Sequence, residues 1–151
     1  MASKTRKVSF YRLSLEKKFL ISGTKRLQKK QLSALEIESY FQRICKEKMH
    51  ALANEHKAIE ISVSSSRYVI EVISYEEHRA FIKIGQQNPS NTVALRDRTT
   101  LETEKVPMSE NQLLELYTFC LIDFETCIVS YIGINGAPRI SAIRNLFDQG
   151  I

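Results

Sequence analysis

The densest set of side chains able to hold a metal ion or move a proton is Glu71, Glu76, Glu77 and His78. Carboxylates and an imidazole gathered within a few ångströms of one another can bind a divalent ion, and that ion activates water against a phosphodiester. A strand running to about Ser74 sends Glu71 to the face opposite Val72 and leaves Glu76 and Glu77 past its end, so such a site needs Asp123 or Glu125 from a neighbouring strand. A charged strand end and loop accounts for the same residues without any chemistry. The remaining candidates fail on spacing. Cys45 lies five residues before His50, and His50 six before His56, whereas ligand pairs on one helix face stand three or four apart. Gly133-Ile-Asn-Gly136 lacks the Lys-Ser/Thr of a phosphate loop, and no Gly-x-Ser-x-Gly elbow occurs. The sequence therefore assigns no catalytic residue, no metal ligand and no cofactor.

A second kind of chemistry is written in the charge. Lys4, Arg6, Lys7, Arg12, Lys17, Lys18, Lys25, Arg26, Lys29 and Lys30 face only Glu16 within residues 1–30, which gives that segment +9 in a chain of net +5. Everything after residue 30 is net acidic. A local cluster of cations attracts phosphate backbones and releases counterions on binding, so these ten residues form the candidate nucleic-acid contact. Phe10, Tyr11 and Phe19 are interleaved with them and offer base stacking on a sheet surface. A solvated basic face explains the charge equally well, and aromatic residues in a strand are more often core. No ribonucleoprotein aromatic motif and no Gly-x-x-Gly loop identifies a known module.

The elements that must position these groups are legible in part. Lys7–Leu15 reads as a strand with a bulge near Phe10–Tyr11, and residues 16–31 read as basic and irregular around a Ser22-Gly23-Thr24 turn. Ser33-Ala-Leu-Glu36 has capping-box spacing, and Ile37, Tyr40, Phe41, Ile44, Cys45, Met49 and Leu52 recur at helical intervals, predicting a helix over 33–53 with Glu38, Gln42, Arg43, Lys46 and Glu47 turned outward. Alternation then predicts strands over 59–64, 68–73 and 79–84, a loop at 85–91, a short strand at 92–96 and a polar surface loop over 97–112. Leu114–Phe124 and Cys127–Ile132 form a hairpin, although 111–119 also suits a helix. Glu125-Thr126 lacks the Asn or Gly of a tight two-residue turn, which argues for a longer one. Pro138 fits the first turn of a closing helix that buries Ile140, Ile143, Leu146 and Phe147 and stops at Gly150.

Composition excludes whole classes. With 43% apolar and 26% charged residues the chain is neither disordered nor fibrous, and at 151 residues it buries enough surface to fold without metal or disulfide. Three cysteines, Cys45, Cys120 and Cys127, in a sequence without a recognisable signal peptide point to a reduced cytoplasmic setting and to buried, inert thiols. No apolar run approaches the roughly 18 residues of a membrane span.

Leu121-Ile-Asp-Phe-Glu125, Cys127-Ile-Val-Ser-Tyr131 and Ile143-Arg-Asn-Leu-Phe147, an acidic strand passing into a second strand and a short helix, resemble the amino-terminal region of uncharacterised bacterial proteins of mobile elements and phage-defence loci. The resemblance covers about a quarter of the chain and implies a defence-related role, with no functional residue to carry over. The expectation is an α+β domain over 1–151, possessing a mainly antiparallel sheet packed on one long helix and a short closing helix, and forming the amino-terminal part of a longer protein. Its expected work is that of a non-catalytic module binding nucleic acid or a protein partner, with a metal-dependent nuclease as the alternative class. Self-association through an uncovered sheet edge beside Cys127–Ile132 is expected too.

Overall fold

The computed structural model of the chain describes residues 6–88, 94–134 and 136–149. It is an α+β structure dominated by antiparallel sheet. The strands β1 (Lys7–Arg12), β2 (Glu16–Leu20) and β3 (Leu27–Gln31) lead to helix α1 (Ala34–Glu47). They are followed by β4 (His50–Ala51), β5 (Lys57–Val63), β6 (Ser66–Glu76), β7 (Arg79–Asn88), β8 (Ala94–Arg96), β9 (Thr103–Lys105), β10 (Leu114–Asp123) and β11 (Ile128–Gly133), and then by α2 (Ser141–Phe147). Seven strands form the main sheet in the order β1-β11-β10-β7-β6-β5-β4, while β2-β3 and β8-β9 are separate two-stranded ribbons.

One face of the main sheet is the core. Ile59, Ile70, Ile84 and Thr118 lie in one cross-strand row, and Val72, Ile82, Cys120 and Tyr131 in the next. Against them α1 buries Ile37, Phe41 and Ile44, and α2 buries Ala142, Ile143, Leu146 and Phe147. Phe41 is the centre of this packing, with its ring 5.0 Å from Phe124 and 5.6 Å from Tyr75. Polar groups at the core are hydrogen-bonded: the buried Thr118 hydroxyl donates to the Ile132 carbonyl at 2.6 Å, and the half-buried Tyr40 donates to the Phe147 carbonyl at 3.0 Å. On the opposite face Phe81 stacks on Phe119 and Lys83 lies 4.4 Å from the centre of the Tyr117 ring.

Several local expectations are corrected. The capping box at Ser33 and Glu36 is present, but the helix stops at Glu47, where the Lys48 amide donates to Ile44 and Met49 turns into the core. Helical spacing beyond it was produced by a turn and the short strand β4. Pairing of β1 with β11 is regular from Lys7 opposite Gly133 to Arg12 opposite Ile128, with no bulge at Phe10–Tyr11. The register shift falls instead in β6, between Val72 and Ser74. The expected loop at 85–91 is strand as far as Asn88, because β10 supplies an unbroken ladder from Asp123 opposite Arg79 to Leu114 opposite Asn88. This also removes the helical alternative for 111–119. Gly85 leaves room for the Glu115 side chain, whose carboxylate lies over it and reaches Lys83 at 3.5 Å.

The polar stretch 97–112 contains β9, which pairs with β8 and is turned by Asp97 accepting from the Thr99 and Thr100 amides. The β10–β11 turn is longer than two residues, with Cys127 at φ 55° and the Asp123 carboxylate accepting from the Glu125 amide. Pro138 precedes α2, which begins at Ser141, while Gly150 lies outside the described residues. The strand expected to be an edge, β11, is interior, because β1 covers it; the outer strands are β1 and β4. Among the described residues no helix is long and apolar enough to cross a membrane.

Candidate nucleic-acid interface

Residues 16–31 are ordered as a ribbon rather than irregular. β2 and β3 pair antiparallel, Glu16 with Gln31, Lys17 with Lys30, Lys18 with Lys29, Phe19 with Gln28 and Leu20 with Leu27. The turn between them is closed by the Ile21 amide donating to Arg26 and the Thr24 amide donating to Ile21, with Gly23 at φ 76°, the left-handed region in which glycine is unstrained. At its base the ribbon is tied to the body: the Leu13 amide donates to Cys127 at 2.7 Å, the Leu32 amide to Leu15 at 2.9 Å, and Leu13, Leu15 and Leu32 pack on the core. Every residue from Glu16 to Gln31 is exposed. The ribbon is thus an arm with a rooted base and no buried face.

Its electrostatics are unusual for a ribbon. Two lysine pairs, Lys17–Lys30 and Lys18–Lys29, stand directly opposite one another, and like charges in that position destabilise strand pairing. Because side chains alternate along a strand, one pair projects from each side. Lys25 and Arg26 add two further cations at the turn. Six basic side chains against Glu16 give the arm +5. Among the described residues the salt bridges of the arm reduce to Lys30 with Glu36 at 3.8 Å, between two exposed groups, which is worth little in water.

The other candidates separate from this group. Arg6, Lys7 and Arg12 are exposed along or beside the edge strand β1, whose Phe10 is 70% exposed and therefore outside the core. Lys4 lies outside the described residues. Of the ten basic residues, the structure brings Lys17, Lys18, Lys25, Arg26, Lys29 and Lys30 together on one element.

The acidic set does not converge. Glu71 accepts from His56 Nδ1 at 3.4 Å, Asp123 pairs with Arg79 at 3.5 Å, and Glu76, Glu77 and Glu125 are exposed. His78 Nδ1 instead donates to Glu38 at 2.7 Å. Among the described residues no three His, Cys, Asp or Glu side chains are grouped to hold a metal ion. Of the thiols, burial pushes Cys45 up to about 11 and Cys120 up to about 12, so both stay protonated at neutral pH.

Glu38 is the polar residue that sequence reasoning misplaced. It was expected outward on α1, yet it is only 7% exposed, because the β6–β7 hairpin folds over it. Tyr75 donates to its Oε2 at 2.6 Å, His78 donates to Oε1, and Gln42 donates to the Tyr75 hydroxyl at 3.2 Å. Burial pushes the Glu38 carboxyl up, but the hydrogen bonds from Tyr75 and His78 and the His78 charge outweigh it and hold the carboxyl below its ordinary range. Those same contacts raise His78 above the usual imidazole value, the hydrogen bond to Glu38 first. Glu77 and His78 form the hairpin turn with φ of 49° and 66°, both in the left-handed region that non-glycine residues avoid. The cluster clamps a strained turn to α1. Helical periodicity alone carries no signal for it, since its partners are about 40 residues away in sequence.

No protein-family model matches the chain, and comparison with curated proteins and with solved structures found none significantly similar. The class is therefore set by the molecule itself: an α+β body whose seven-stranded antiparallel sheet carries a projecting basic two-stranded arm.

Proposed function

We propose that the chain is a non-catalytic nucleic-acid-binding module that works through the β2–β3 arm. The observation that carries this reading is the pair of opposed lysine rungs on a solvent-exposed ribbon. Such rungs repel one another until a polyanion lies against them, and a phosphate backbone supplies evenly spaced charge for both sides of the ribbon. A two-stranded ribbon is also narrow enough to enter the major groove of duplex DNA. Arg6, Lys7 and Arg12 extend the positive surface along β1. Reduced thiols suit a cytoplasmic setting, and the defence-locus resemblance of residues 121–147 gives such a module a context in which to act. The nuclease alternative has no comparable support, because Glu71, Asp123 and His78 pair with His56, Arg79 and Glu38 respectively, and among the described residues no three His, Cys, Asp or Glu side chains are grouped to hold a metal ion.

The test is fluorescence anisotropy with labelled duplex and single-stranded DNA across a salt series. Binding at low salt, weakening linearly in log–log form, is expected. Each lysine neutralising a phosphate contributes about 0.9 to the slope on a duplex, so Lys17→Gln, Lys18→Gln, Lys29→Gln and Lys30→Gln together should flatten it by about 3 to 4. Absence of binding at low salt, or an unchanged slope in the quadruple variant, would overturn the proposal.

A further inference from the structure

The face of the main sheet turned away from the helices is apolar over four strands. Phe10, Leu121 and Phe81 share one cross-strand row through Ser130, and Val8 stands opposite Ile132 in the next. Phe119 stacks on Phe81 with ring centres 5.3 Å apart, and Tyr117 meets Phe119 edge-on at 5.7 Å. Val8 and Tyr117 are half exposed, and Phe10 more so. A sheet face turned to water carries polar side chains at such positions, as β5 does on this same face with Glu60 and Ser62. At roughly 200 Å² for a large side chain, the block leaves about 500 Å² of apolar surface in water, the upper end of what a monomer carries.

The charges around the block cancel. Asp123 and Glu76 stand on either side of Arg79, the first at 3.5 Å, and Arg12 ends the same row. Lys83 is held between Glu115, at 3.5 Å, and the Tyr117 ring. Three cations thus meet three carboxylates, whereas the cations of the arm are almost unopposed. A polyanion is drawn to the arm and gains nothing on this face, which suits an apolar partner without net charge. The structure assigns the face to a second copy of the chain, packed sheet on sheet about a twofold axis near Phe119. A patch that is apolar at its centre and neutral at its rim is complementary to itself. Two copies withdraw about 1,000 Å² of apolar surface, the size at which a specific interface begins, before the rim is counted. Leu13, Leu15 and Leu32 root the arm in the core on the helix side, so the dimer carries two free arms. Pairing through the edge strand β1 is the other way for two copies to meet. It fits less well, because antiparallel pairing about the centre of β1 sets Lys7 of one copy against Arg12 of the other.

Sedimentation velocity of the full chain, free of nucleic acid and at concentrations from about 1 to 100 µM, reads this out. A species of twice 17.4 kDa is expected in the upper part of that range. It should persist at about 1 M salt, where association held by charge is lost. Phe81→Glu with Tyr117→Glu sets four carboxylates into the apolar interface and should return the chain to the monomer throughout, while Phe81→Leu with Tyr117→Phe should dimerise as the unaltered chain does. Thermal melting shows whether each variant is folded, and if the stack of Phe81 on Phe119 proves necessary for folding, Tyr117→Glu alone carries the same expectation. Both positions lie on interior strands, so a dimer that survives the glutamates joins through another surface and overturns the inference. A dimer dissolved by salt overturns it too. A 17.4 kDa species alone up to about 100 µM overturns it and leaves the face to a different protein.

Discussion

The body and the arm are both antiparallel β structure, and they are held together on opposite terms. In the main sheet, β7 and β10 pair over ten residues with Ile82, Ile84, Thr118, Cys120 and Ile122 buried under two helices, so each rung is stabilised by what lies above it. In the arm, β2 and β3 pair over five residues with no buried side chain on either face, and two of the rungs bring lysine against lysine. The first arrangement stabilises the fold whatever surrounds it. The second is favourable chiefly in the company of negative charge, which is why the two regions should respond to mutation in different assays.

The largest effect is expected in the body. Phe41→Ala removes the ring that touches Phe124, Tyr75 and Phe147, and a fully buried site of this kind loses about 3 to 5 kcal/mol, read by chemical denaturation. A loss below about 1 kcal/mol would mean that α1 does not sit on the sheet as described.

Next is the clamp between α1 and the β6–β7 turn. Glu38→Ala leaves the Tyr75 hydroxyl and His78 without their acceptor, for an expected loss of about 1 to 3 kcal/mol. The pH dependence has a definite sign. Glu38 titrates lower in the folded chain, so its contribution is present above the ordinary carboxylate range and is lost as pH falls through the lowered value. His78 titrates higher when folded, so its contribution is present below the ordinary histidine range and is lost as pH rises through the raised value. Stability should therefore decline on both sides of mildly acidic pH, and Glu38→Gln should flatten both limbs. An unchanged alkaline limb in that variant would show that the imidazole does not engage Glu38.

The smallest stability effect belongs to the arm. Leu20→Ser with Leu27→Ser, or the four lysine-to-glutamine changes, should move unfolding free energy by less than about 0.5 kcal/mol, because neither set is buried. The lysine changes remove two repulsive rungs and should, if anything, stabilise slightly. A loss above about 2 kcal/mol would make the arm part of the body and erase the contrast.

What was legible in the sequence follows the same division. The capping box at Ser33, the alternation of Ile59 and Ile61, and the long run from Leu114 announce themselves because burial imposes a period on apolar residues. Residues 16–31 looked irregular because a ribbon with no buried face needs no alternation, so its pairing left no trace except charge. The extension of β7 through Gly85 was hidden by a turn-like composition that the long partner strand overrode. Covering of β11 by β1 depends on a pairing more than a hundred residues apart in sequence, which no local pattern encodes. Glu38 looked solvated for the same reason: the groups that bury it arrive from another hairpin.

The contrast between the two regions is tested most directly by measuring duplex binding across a salt series for the full chain and its Lys17→Gln, Lys18→Gln, Lys29→Gln, Lys30→Gln variant, with unfolding free energy determined in parallel. The account predicts a folded variant of unchanged stability whose log–log salt slope is shallower by about 3 to 4. A variant that binds with the slope of the unaltered chain would contradict it.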